Sequence, residues 1–168
     1  MSFKAPEITR SADFEEHLFG IGSEAIVIEI LRSKMYSNPI KTICQEIPSN
    51  ARDAHREVGK HIIPITIKLP NYIEPFFTVR DFGPGITPDR MVNIFIRYGA
   101  SSKRETDTQT GGFGLGAKSP WAYGDSFNIV SITPENGKMI KRQYICYIDE
   151  TRIGKLAKVL EEETDEPQ

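Results

Sequence analysis

Apolar positions along the chain switch between helical and strand spacing, and the switches mark the elements. Ser23 can cap a helix running to about residue 35, with Ile26, Ile30 and Leu31 on one face. Asn38-Pro39 is a second start signal, a capping side chain followed by proline at the first helical position. That helix should run towards Val58. Pro48 inside it lacks the N–H of a helical turn and should bend or weaken its first half. Residues 62–69 and 74–80 are rich in isoleucine, phenylalanine, valine and threonine and predict strands. Thr87-Pro88 opens a short helix through Ile96. Residues 97–112 lack apolar periodicity and predict a mobile loop; residues 115–122 predict a short helix. Strands over 126–133 and 138–148 flank Asn136-Gly137, a strong hairpin signal. A last helix is expected over 151–160, then a frayed acidic tail over 161–168. Residues 1–20 form an N-terminal arm and 21–160 the domain. Helices that precede and interrupt strands predict an α+β fold, a two-layer sandwich with helices on one face of a mixed, mostly antiparallel sheet.

Composition narrows the class. The chain has 168 residues, enough for one domain with a real core. Its net charge of -2 gives no global pull towards nucleic acid or an anionic membrane. No apolar run approaches the roughly 18 residues that span a bilayer, and the first residues lack the apolar stretch of a signal peptide. Cys44 and Cys146 fit neither a disulfide framework nor a metal spacing, so both are expected as reduced, buried thiols in a cytoplasmic protein.

Three clusters carry the chemistry. In Glu46-Ile-Pro-Ser-Asn50-Ala-Arg-Asp53-Ala54, Glu46 and Asn50 lie four apart on one helix face, with Asp53 on nearly the same stripe. An amide oxygen can ligate Mg²⁺, and a nearby carboxylate can deprotonate a water. The plain alternative is a solvated face with Arg52 and Asp53 paired at the surface. In Asp81-Phe-Gly83-Pro-Gly85, a carboxylate at a strand end can accept from an exocyclic amine such as adenine's, and glycines let backbone approach a flat ring. The plain alternative is a turn in which the aspartate bonds its own backbone. In Gly111-Gly112-Phe113-Gly114-Leu115-Gly116-Ala-Lys118-Ser119, glycines entering a helix make an anion site, with Lys118 as a cation. Plain hinges use such loops too. A Walker A reading fails because the lysine is one residue out of register and a polar loop, not a strand, precedes it. Lys103 sits in a basic, hydroxyl-rich stretch suited to a lid over phosphates. The three histidines show no ligand spacing. Trp121, Tyr123 and Phe127 read as core.

In this order the clusters resemble the ATP-binding signature of the GHKL superfamily, the Bergerat-fold group of gyrase-type topoisomerases, ninety-kilodalton heat-shock chaperones, histidine kinases and MutL proteins. The stretches around Met35-Tyr-Ser-Asn-Pro39, Asn50-Ala-Arg-Asp-Ala-His55, Arg97-Tyr-Gly-Ala-Ser-Ser-Lys103 and Gly112-Phe-Gly-Leu-Gly-Ala-Lys118 resemble phage rIIA-type lysis-inhibition proteins. The superfamily resemblance implies Glu46 as the water-activating base and Asn50 as the Mg²⁺ ligand. It implies Asp53 near the adenine side and Asp81 on adenine, with Gly83 and Gly85 beside the ring. Gly112, Phe113, Gly114, Leu115 and Gly116 fall on the phosphate loop, Lys118 on a phosphate contact and Lys103 on the lid.

The expected cofactors are ATP and Mg²⁺. The expected activity is slow ATP hydrolysis that drives lid closure or dimerisation. The alternative is a nucleotide-dependent interaction module without useful catalysis. Expected partners are a homodimer or another protein, and the rIIA likeness implies peripheral membrane association in a bacterial host. Two features depart from the family. Pro48 interrupts a helix that relatives keep regular, and relatives continue past the hairpin into a strand with an adenine-side threonine.

Overall fold

The computed structural model describes residues 27–30, 37–97 and 116–168. Helix α1 (Pro39–Glu57) starts as its sequence dictates. The Asn38 side chain accepts from the Lys41 N–H at 3.0 Å, and Pro39 occupies the first turn. The helix continues through Pro48 for its full 19 residues. The expected weakening of its first half is not seen as a break.

Strands β1 (Thr66–Lys68) and β2 (Thr78–Arg80) pair antiparallel as a small sheet and are far shorter than their apolar runs. The short helix α2 (Pro88–Arg90), capped by Thr87, runs into a π-helical turn at Met91–Phe95. A 3₁₀ helix at Gly116–Ala122 leads to the main sheet, β3 (Ser126–Glu135), β4 (Lys138–Ile148) and β5 (Gly154–Glu163), in that spatial order. The fold is α+β. As expected of a mostly antiparallel α+β fold, the strands among the described residues pair antiparallel, in a two-stranded and a three-stranded sheet.

Strands β3 and β4 turn on Asn136 and Gly137, whose φ values of 51° and 79° are the left-handed pair of a type I′ hairpin. Facing residues put Phe127, Ile129, Ser131 and Thr133 on one side of β3, opposite Cys146, Tyr144, Arg142 and Ile140 of β4. That face grades from apolar to polar along its length. At the apolar end Trp121 of the 3₁₀ helix is buried with Cys146 and meets Phe127 edge to face at 4.7 Å. At the polar end buried Arg142 donates to Glu135, Glu161 and Thr133.

The expected last helix is β5. Its pairing jumps from Gln143–Leu160 to Tyr144–Lys158, so Val159 is an extra residue. That bulge breaks the period of two: Leu156 pairs with Cys146 and Leu160 with Gln143, on opposite faces of β4, so the apolar positions 156, 157, 159 and 160 show no alternation. The acidic tail is held as well. The Thr164 N–H donates to the Met139 carbonyl at 3.0 Å, and Glu166 pairs with Lys141 and Arg80.

Three smaller expectations change. Cys44 is exposed on α1, while Cys146 is buried and its thiol is pushed up to about 12 by desolvation. Tyr123 is exposed, since it follows the short 3₁₀ helix whose Trp121 already fills the core. Within helical residues 27–30, Ile28 is the buried isoleucine and Ile30 is exposed, because the inward face lies two positions from the expected one. The N-terminal arm, most of the loop at 97–112, and Ile26 and Leu31 lie outside the described residues. No helix among the described residues is long and apolar enough to cross a membrane.

Candidate functional site

Helix α1 is the wall on which the clusters meet. Glu46 and Asn50 are half-buried, one turn apart. Asp53, one turn on, is only 1 % exposed and lies 3.7 Å from the Arg56 guanidinium. The surface pairing of Asp53 with Arg52 is therefore replaced by a buried carboxylate on the inward stripe.

The second cluster reaches this wall through Gly83. A Cβ there would lie 2.5 Å from the Ala54 Cβ and 3.0 Å from the Ala54 carbonyl carbon, so the turn packs backbone against helix. Gly85 has φ +68° and abuts the Ile132 carbonyl of β3, leaving no room for a side chain. Asp81 is exposed, and its Oδ1 accepts from the Gly83 N–H at 2.9 Å. The self-bonded turn is thus real, and it uses one of the two carboxylate oxygens.

The third cluster reaches the wall through Gly116, where a Cβ would run into the Glu46 carboxylate. Beyond it Lys118 is 4 % exposed, with Nζ 5.6 Å from the centre of the Phe95 ring. Desolvation pushes this ammonium down to about 8. Lys103, Gly112, Phe113, Gly114 and Leu115 lie outside the described residues.

The structure adds residues that sequence reasoning passed over. His55 is 2 % exposed. Its Nε2 accepts from the Phe82 N–H at 2.7 Å, and its Nδ1 lies 2.9 Å from the Ile63 carbonyl. An acceptor at Nε2 assigns the proton to Nδ1. Lys60 donates to the Phe82 carbonyl at 2.9 Å. Ser131 takes the Ile86 N–H at 2.7 Å and returns its hydroxyl to the Ile86 carbonyl at 3.0 Å. The glycine turn is therefore held at three successive points. A signal for His55 existed, since Ile47, Ala51 and His55 recur every four residues on one face of α1. An imidazole in an apolar stripe needs buried partners.

Among the described residues no three histidine, cysteine, aspartate or glutamate side chains gather as a metal cluster. The donor set around Asn50 suits Mg²⁺, which takes one or two protein oxygens and completes its shell with phosphates and waters.

A search of curated proteins found no match. The family described as histidine kinase-, DNA gyrase B- and HSP90-like ATPase matches residues 35–119, just over half of the 168 residues. That span holds all three clusters and all of α1. With Gly83 and Gly116 packed against the helix that carries Glu46, Asp53 and Ala54, this chain belongs to the histidine kinase-, DNA gyrase B- and HSP90-like ATPase family and carries its ATP-binding module.

Proposed function

We propose that the module is rIIA-like, that it binds ATP with Mg²⁺ and hydrolyses it slowly, and that turnover drives lid closure or dimerisation. The observation that carries this reading is the meeting of Glu46 with Gly116 on the same helix that receives Gly83. A water-activating carboxylate then borders the entry to the phosphate loop, and the adenine-side turn lies two helical turns further along α1.

The roles follow from chemistry. Asp81 accepts from the adenine amine, and Gly83 and Gly85 keep side chains away from the ring. Asp53, buried behind the turn, belongs to the adenine side. Backbone N–H groups of the glycine loop take the phosphates. Asn50 would hold Mg²⁺, which supplies charge neutralisation to the triphosphate when bound. Glu46 takes a proton from the water as that water attacks the terminal phosphorus, whose bond to the bridging oxygen breaks to release ADP and phosphate. Lys118, charged below about pH 8, adds positive potential behind the loop. By the rIIA likeness the module works in a bacterial cytoplasm, at the inner face of the membrane, with a second copy or another protein.

Phosphate release and ATP binding, measured side by side, test the reading. Glu46→Ala should keep ATP affinity and lose turnover. Turnover that survives this change removes Glu46 from its role. ATP binding with no release above background by the unaltered chain would make it a nucleotide-dependent interaction module.

A further inference from the structure

The two peptide units on either side of Phe82 are each held by a side chain that no nucleotide chemistry requires. His55 Nε2 accepts from the Phe82 N–H, and Lys60 Nζ donates to the Phe82 carbonyl. Both come from the end of α1 and the turn after it, the same segment that carries Ala54 under Gly83. Asp81 and Gly83 flank Phe82, and the Asp81 carboxylate is already fixed to the Gly83 N–H. A rotation of either peptide unit, Asp81–Phe82 or Phe82–Gly83, would therefore swing the Asp81 carboxylate or the Gly83 N–H that fixes it.

The imidazole is suited to this task. It is almost fully buried, and its two nitrogens are committed to Phe82 and Ile63 in complementary senses. A buried ring with both edges bonded cannot drift without leaving polar groups unsatisfied. Lys60 spans from Phe82 to the Gln168 carbonyl at 3.2 Å, so the tail shares the grip.

We infer that His55 and Lys60 are positioning residues for purine selectivity: they clamp the backbone on both sides of Phe82 and so aim the Asp81 carboxylate at an exocyclic amine. This rests on the reading that Asp81 meets adenine. The clamp does not touch nucleotide; it acts through Asp81 alone. Its loss should weaken recognition of the amine and spare recognition of phosphate.

The test compares ATP with inosine triphosphate, which lacks the amine, by calorimetry with Mg²⁺ on the full chain. The unaltered chain should prefer ATP. His55→Ala should weaken ATP binding about tenfold, the scale of one hydrogen bond to a charged group, while inosine triphosphate binding changes less than twofold. Lys60→Met, at a more accessible site, should show the same selective loss on a smaller scale and carries the test if His55→Ala does not fold. His55→Ala combined with Asp81→Asn should lose no more than Asp81→Asn alone. Parallel losses for both nucleotides, or unchanged ATP affinity, in a variant with the native circular dichroism spectrum would overturn the role of the residue replaced. An unaltered chain that binds both nucleotides equally, or neither, would instead remove the adenine reading itself.

Discussion

The three-stranded sheet and the wall on α1 are built by opposite means. The sheet supplies its own backbone partners, in a ladder from Ser126–Tyr147 to Glu135–Lys138 and on into β5. The wall is made of pieces that lack such ladders: a glycine turn, a 3₁₀ turn and one helix face. They meet because side chains are missing at positions 83, 85 and 116, and because His55, Lys60 and Ser131 bond the turn's backbone. A sheet tolerates a changed side chain while its ladder persists. The wall does not tolerate an added one at Gly83 or Gly85, where it would meet Ala54 and the Ile132 carbonyl.

The largest effect should come from the residue that joins the two regions. Trp121 sits in the 3₁₀ helix behind Gly116 and fills the apolar end of the sheet. Trp121→Ala should cost about 3–5 kcal/mol in denaturant unfolding and weaken ATP binding as well. Gly83→Val should separate the regions. Overpacking against Ala54 should cost about 1–3 kcal/mol and abolish ATP binding, while amide signals of β3 and β4 keep their positions.

Arg142→Met is the converse. Burial alone would lower the Arg142 guanidinium, but its hydrogen bonds to Glu135 and Glu161 together hold it above its ordinary value. Both glutamates are roughly half exposed, so the loss should be about 1 kcal/mol, with ATP affinity unchanged.

Two smaller effects follow from protons. Lys118 binds its proton less tightly folded, at about 8, than unfolded, at 10.5. The folded chain therefore carries fewer protons between these values, and stability should rise as pH climbs through that window. A bound triphosphate favours the charged ammonium. ATP binding near pH 9 should thus take up a fraction of a proton, read from calorimetric heats in two buffers of different ionisation enthalpy. In the sheet, the Lys158 and Arg142 hydrogen bonds hold Glu161 below its ordinary 4.5, and Lys141 does the same for Glu166. Those contributions are present above pH 4.5 and should fade as acid carries the pH below it.

The sheet was the more legible region, yet its one irregularity misled. Asn136-Gly137 announced the hairpin, and alternation announced β3 and β4, because both signals are local. The Val159 bulge erased the alternation of β5 and let it pass for a helix. In the wall, Asn38-Pro39 located α1 to the residue. The order of the three clusters pointed to their convergence. The grip on Phe82 was not legible, since it joins residues 22 and 27 positions apart through side-chain-to-backbone bonds that leave no periodic trace. The apolar runs 62–69 and 74–80 overstated β1 and β2: Ile62, Ile63, Ile67 and Phe76 within them are exposed.

Calorimetry of ATP with Mg²⁺ against the unaltered chain and Asp81→Asn bears most directly on the claim that separate stretches form one purine-triphosphate cradle. Saturable binding by the first, weakened tenfold or so in the second, is the expected result. Equal affinities, or no heat from either, would contradict it.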